Sequence, residues 1–159
     1  MSYKAGRFVT SVLFASGFAV AVSGCAATKH KDAHISVADM SAAARTTTER
    51  VTANGKVDQI MKEKEKGRVV YDVEATINGK HEEFLIADSN GEILGTERSV
   101  DFSEIPLPVR HSAQKYFGTT TGLKAMKGVE YGEISYEIEG HKNGKPVEVT
   151  FDELGRRAK

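Results

Sequence analysis

The chain writes one twenty-residue pattern twice. Residues 67–86, GRVVYDVEATINGKHEEFLI, are echoed by residues 132–151, GEISYEIEGHKNGKPVEVTF, at a constant spacing of 65 from Tyr71 to Tyr136. Gly67, Tyr71, Glu74, Asn78, Gly79, Lys80 and Glu83 recur as Gly132, Tyr136, Glu139, Asn143, Gly144, Lys145 and Glu148. Each copy reads as two alternating strands joined by Asn-Gly, the pair that best tolerates the positive φ angles of a tight hairpin.

Alternation assigns the faces. In 68–77, Val69, Tyr71, Val73, Ala75 and Ile77 form the inward row, continued by Phe84 and Ile86; Arg68, Val70, Asp72, Glu74 and Thr76 point the other way. In the second copy Ile134, Tyr136 and Ile138 form the inner row, answered by Val147, Val149 and Phe151. A helix precedes each copy. Asp39 or Ser41 can cap the first, which runs to about residue 53 with Ala44, Thr47, Thr48 and Val51 as its inner stripe. The second follows Leu107-Pro108, shows Val109, Ala113, Tyr116 and Phe117 at helical spacing, and stops at Gly118. Residues 56–65 read as an exposed strand, 92–96 as a short one and 123–129 as another. The expected fold is α+β: two tandem helix-plus-antiparallel-meander repeats, at 39–101 and 102–159, with both helices on one face of a joint sheet. A unit of about 60 residues is marginal alone, which favours a shared core.

The N-terminus carries an address. Lys4 and Arg7 precede an apolar run over residues 8–22, too short and too interrupted for a spanning helix and in the order of a secretory leader. Val22-Ser23-Gly24-Cys25 resembles the bacterial lipobox, which implies cleavage after residue 24 and lipidation of Cys25. Cys25 is the chain's single cysteine, so no internal disulfide competes for it. Ala26 follows it, and the lipoprotein sorting pattern then implies the outer membrane, facing the periplasm. Residues 25–38 read as the lipidated Cys and a linker. Within it His30, Asp32 and His34 have metal-ligand chemistry, but Lys29 and Lys31 interleave and a structural site needs about four rigid ligands.

Loss of Lys4 and Arg7 with the leader leaves 20 bases against 22 acids, and no basic stripe for nucleic acid. Catalytic constellations are lacking too. His111 and Ser112 are helix neighbours about 100° apart, unable to act as base and nucleophile, and His81 and His141 lie by the hairpins with no Ser or Cys implied nearby. The expectation is a non-enzyme without cofactor, and a monomer.

A helix opened by Leu107-Pro108, a strand Tyr136-Glu137-Ile138-Glu139, a hairpin Asn143-Gly144-Lys145 and a closing Phe151-Asp152-Glu153-Leu154-Gly155 resemble the PepSY-like family, and its branch described as beta-lactamase-inhibitor-like. Tyr71-Asp72-Val73-Glu74 and Asn78-Gly79-Lys80 carry the same resemblance in the first copy, where Ala42-Ala43-Ala44 replaces the Leu-Pro start. The resemblance implies an envelope protein that binds or inhibits peptidases or other secreted proteins, with no catalytic residue to carry over.

Asp72, Glu74, Glu137, Glu139 and Glu148 should share the face opposite the helices. An antiparallel sheet needs a wet side, and acids keep it soluble. The functional alternative is a docking surface for a basic or metal-bearing partner, and with it a cation-responsive module; a passive envelope component is the third reading.

Overall fold

The computed structural model describes residues 33–158. Four hairpin turns set its frame. Asn78 and Gly79 adopt φ of 52° and 76°, and Asn143 and Gly144 adopt 54° and 74°, positive at both central positions as the two-residue turn requires. Lys66-Gly67 and Tyr131-Gly132 do the same, at 47° and 81° and at 47° and 82°.

The sheet has eight strands in sequence order: β1 (Ala33–His34), β2 (Gly55–Glu65), β3 (Arg68–Ile77), β4 (Lys80–Ala87), β5 (Ile93–Val100), β6 (Lys124–Glu130), β7 (Glu133–Lys142) and β8 (Lys145–Asp152), and those turns join β2 to β3 to β4 and β6 to β7 to β8. Every neighbouring pair is antiparallel. β5 and β6 pair from Gly95 opposite Glu130 to Val100 opposite Ala125, so one continuous sheet spans both halves of the chain. β3 and β7 begin 65 residues apart, as do β4 and β8.

Two helices cover one face. In α1 (Ala42–Val51) the Ser41 hydroxyl accepts from the Ala44 amide, which satisfies a donor the helix leaves free. Ala44 packs with Met40, Ile60, Tyr71, Val73, Phe84 and Ile86. In α2 (Leu107–Phe117) Pro108 occupies the first turn, and Gly118 closes the helix at φ 79°. Val109, Ala113 and Phe117 bury against Ala125, Tyr136, Ile138, Val149 and Phe151. The tyrosines lie in the core as their parity predicts, and the Tyr71 hydroxyl accepts from the Ser41 amide while donating to the Asp88 carboxylate.

Each helix also rests on the loop after its hairpin. A Cβ on Gly91 would fall 2.5 Å from the Ala43 carbonyl, and one on Gly155 would fall 2.4 Å from the Pro108 carbonyl. Thr47 clamps the first contact by donating to the Gly91 carbonyl at 2.7 Å.

Several boundaries differ from the sequence reading. Ala33–His34 pairs with β2, Val37–Asp39 forms a 3₁₀ turn, and Ile35 and Val37 pack on the first core cluster, so ordered structure begins inside the segment read as linker. Ile60 and Met61 are buried on a strand expected to be exposed: β1 extends the sheet beside β2, and Ile35 and Val37 pack on the cluster that holds Ile60. The strand expected at 92–96 continues to Val100. Val69, assigned to the inner row, is the second residue of β3 and is 37% exposed. Among the described residues no helix is long and apolar enough to cross a membrane.

Candidate functional site

Pairing register places the carboxylates. Cross-strand partners share a face, so the ladder Gln59–Glu74–Glu83–Glu97–Gly128–Ser135 runs straight across six strands on the side away from the helices. The parallel rows add Asp72, between Met61 and Leu85, and Glu137, between Met126 and Thr150. Glu139 stands opposite Glu148 at the β7–β8 edge. The five acids read from the sequence thus lie on one face, and Glu83 and Glu97 join them.

That face is not the wet side alternation suggests. Asp72, Glu83, Glu97 and Glu137 are buried, Glu74 and Glu139 half-buried, and Glu148 exposed. Val70, Leu85, Ala87 and Leu94 form a separate apolar cluster on it, with Tyr131 packed alongside. A bulge between Val57 and Gln59 and another between Leu85 and Ile86 interrupt the ladders, a device that adds local twist.

Burial dominates the electrostatics. Asp72, flanked by Met61 and Leu85, has its pKa pushed up to about 8 by desolvation, with Glu83 adding to it. Glu97 is pushed up to about 8 by burial first and by Glu83 next. Glu137 and Glu148 are hydrogen-bonded to each other, and burial holds both above the usual carboxylate range. His81 lies 2.9 Å from Glu83, and that hydrogen bond raises its pKa. Lys124 Nζ approaches Glu139 at 3.5 Å at the exposed rim. Gln59 donates to Glu74 at 3.1 Å.

The other sequence candidates do not join this face as a cluster. Cys25, His30 and Asp32 lie outside the described residues. His34 stands on β1 opposite Met61 and is exposed. His111 is exposed and Ser112 half-buried on α2, on the opposite side of the sheet.

No family model matches the chain, and no curated protein does. Solved structures do match. A protein described as periplasmic from Bacteroides eggerthii superposes with a TM-score of 0.57 at 10% identity, over 76% of this chain and 86% of that one. The two share a fold. A BLIP-like protein from Bacteroides fragilis gives 0.49 at 19% identity, over 74% and 82% of the two chains. A protein of unknown function from Bacteroides vulgatus, also described as periplasmic, gives 0.37 at 24%, over 80% and 97%.

Proposed function

We propose that this chain is a non-catalytic, periplasm-facing lipoprotein of the bacterial envelope that binds a secreted or periplasmic protein through the carboxylate face of its sheet. The lipobox at Val22 to Cys25 supports anchoring through Cys25, in the outer membrane of a two-membrane cell. The matched fold of a protein described as periplasmic agrees with that address. The motifs at Tyr71 to Glu74 and Tyr136 to Glu139 support a pair of PepSY-like units, at 39–101 and 102–159, of beta-lactamase-inhibitor-like kind.

The observation that carries the reading is the concentration of acids from both halves of the chain on one sheet face. Glu74, Glu83 and Glu97 come from the first half, and Glu137, Glu139 and Glu148 from the second. Of these, Glu74, Glu139 and Glu148 reach solvent, and acids so placed select a partner presenting Lys or Arg, speed the encounter and reject acidic proteins. A peptidase or other hydrolase with a basic rim is the partner class of choice.

The test is affinity capture from envelope extract, comparing the native chain with one carrying Glu74→Lys and Glu139→Lys. A protein retained by the first and lost by the second supports docking at this face. Retention by both baits moves the site elsewhere, and enrichment by neither removes the protein-binding reading.

A further inference from the structure

We propose that Glu65 and Glu130 form a proton-sharing clasp that holds Tyr131 over the apolar cluster on the sheet's far face, and that loss of the shared proton opens this lid. The device would regulate the carboxylate face, yet it does not rest on protein docking, because it belongs to the chain alone.

The clasp joins equivalent places in the two copies of the repeat. Glu65 and Lys66 lead into the β2–β3 turn as Glu130 and Tyr131 lead into the β6–β7 turn, each at the spacing of 65 that separates Tyr71 from Tyr136. In the sheet β4 and β5 intervene, which on a flat surface puts β3 and β6 about 14 Å apart. The side chains meet all the same. Lys66 Nζ lies 3.4 Å from the centre of the Tyr131 ring and 4.0 Å from Glu130 Oε1. The sheet is thus curled over its far face at this end. The Tyr131 amide donates to the Leu94 carbonyl at 2.8 Å, and its side chain packs on the cluster of Val70, Leu85, Ala87 and Leu94. Both helices lie on the other side, so the burial of those four residues depends on this curl and on the ring.

Two carboxyl groups hydrogen-bond to each other only when one of them carries a proton. Glu65 and Glu130 stand in that relation, Glu130 buried and Glu65 half-buried. Burial first and Glu65 next push the Glu130 pKa up to about 7. The charged groups around the pair come from every neighbouring element. Lys66 in the β2–β3 turn opposes the rise, and Glu133, opposite Glu130 on β7, adds to it. Arg68, opposite Glu65 on β3, acts on the Tyr131 hydroxyl, as Glu65 and Glu130 also do. Gly95, opposite Glu130 on β5, brings no side chain. Once the proton leaves, Glu65, Glu130 and Glu133 repel one another, and Lys66 is drawn off the ring toward them. Tyr131 then loses the cation stacked on it and the bond that closes the turns together. The clasp is therefore shut at acid pH and released as pH rises. Opening adds an apolar patch to a face that otherwise presents acids, an anchor point for an apolar side chain of a partner.

The experiment is methyl NMR of the full 159-residue chain in non-ionic detergent, labelled at leucine and followed from about pH 5 to about pH 9. The Leu94 methyls report the lid through the ring current of Tyr131, and Tyr131→Ala gives their positions with no ring present. In the native chain they should move toward those positions as pH rises, with a midpoint of about 7. Glu65→Gln should abolish the transition and hold the closed positions throughout, because an amide donates to the Glu130 carboxylate at any pH. Glu130→Gln should do the same from the other side, so a folding failure in one variant leaves the other as the test. Leu94 methyls that stay fixed across the range in the native chain overturn the proposal. So does a transition that keeps its midpoint in the glutamine variants, which would assign it to another acid of the face. Envelope capture can fail while this transition is present, and the transition can be absent while capture succeeds, so the two readings fall separately.

Discussion

Glu83 on β4 and Glu97 on β5 are directly opposed in an antiparallel ladder, and both are buried, at 2% and 3% exposure. Like charges in that relation oppose pairing, and only Glu83 has a basic neighbour in contact among the described residues, His81 at 2.9 Å. Glu97→Gln should therefore stabilise the chain above about pH 8, where the buried carboxylate ionises, by about 1–3 kcal/mol, the range for relieving a buried unsatisfied group. Urea unfolding of the two proteins checks the sign; a less stable variant would mean that the carboxylate is compensated within the chain.

Asp72 makes stability fall as pH rises. Its pKa is raised from 3.8 to about 8, so the folded chain holds a proton that the unfolded chain releases above pH 3.8. Stability attributable to this group is highest below about pH 4, declines between 4 and 8, and is flat above 8. Asp72→Asn removes the dependence, and its gain over the native chain should be larger at pH 8.5 than at pH 5. Equal gains at the two pH values, read from denaturant midpoints, would contradict burial of the ionised form.

His81 titrates the other way. Its hydrogen bond to Glu83 raises the pKa above 6.5, so the pair's contribution is complete below the unfolded value and is lost as pH passes the raised one. Imidazole NMR shifts should give a midpoint above 6.5 that moves back down in Glu83→Gln. A midpoint unmoved by that change would assign the shift to another acid.

Gly91 should tolerate no side chain. At φ 70° with the Ala43 carbonyl 2.5 Å from a would-be Cβ, Gly91→Ala meets both backbone strain and a clash. Gly67→Ala meets strain alone, since nothing lies within 4 Å of its Cβ position. The control should cost about 1–2 kcal/mol and Gly91→Ala clearly more. Thermal melts of the two variants compare them; equal losses would mean that α1 does not rest on the loop.

Much of the fold was legible because it is local. Asn-Gly at 78–79 and 143–144, the Ser41 cap and the Gly118 stop act within a few residues, and alternation correctly put Asp72 and Glu137 opposite Tyr71 and Tyr136. Whether that second face is wet depends on the whole sheet, and no window of sequence reports it. Two acids were missed for separable reasons. Glu97 lies just past residue 96, where the sequence signal for that strand ends, whereas β5 continues to Val100. Glu83 is the counterpart of Glu148 at the 65-residue spacing, so the repetition itself held the signal. The turns at Lys66-Gly67 and Tyr131-Gly132 were illegible because Lys and Tyr carry no preference for positive φ.

The central claim is that the carboxylate face docks a protein, and the most direct measurement is the affinity of the purified captured partner for two charge-reversed chains. One carries Glu74→Lys and Glu139→Lys on that face. The other carries Glu49→Lys on α1 and Glu104→Lys in the turn before α2, both exposed, so that net charge changes equally. Loss of about tenfold or more in affinity for the first chain, with the second unchanged, is the predicted result. Equal weakening of both would reduce the effect to net charge, and an undiminished affinity in the first chain would contradict docking at this face.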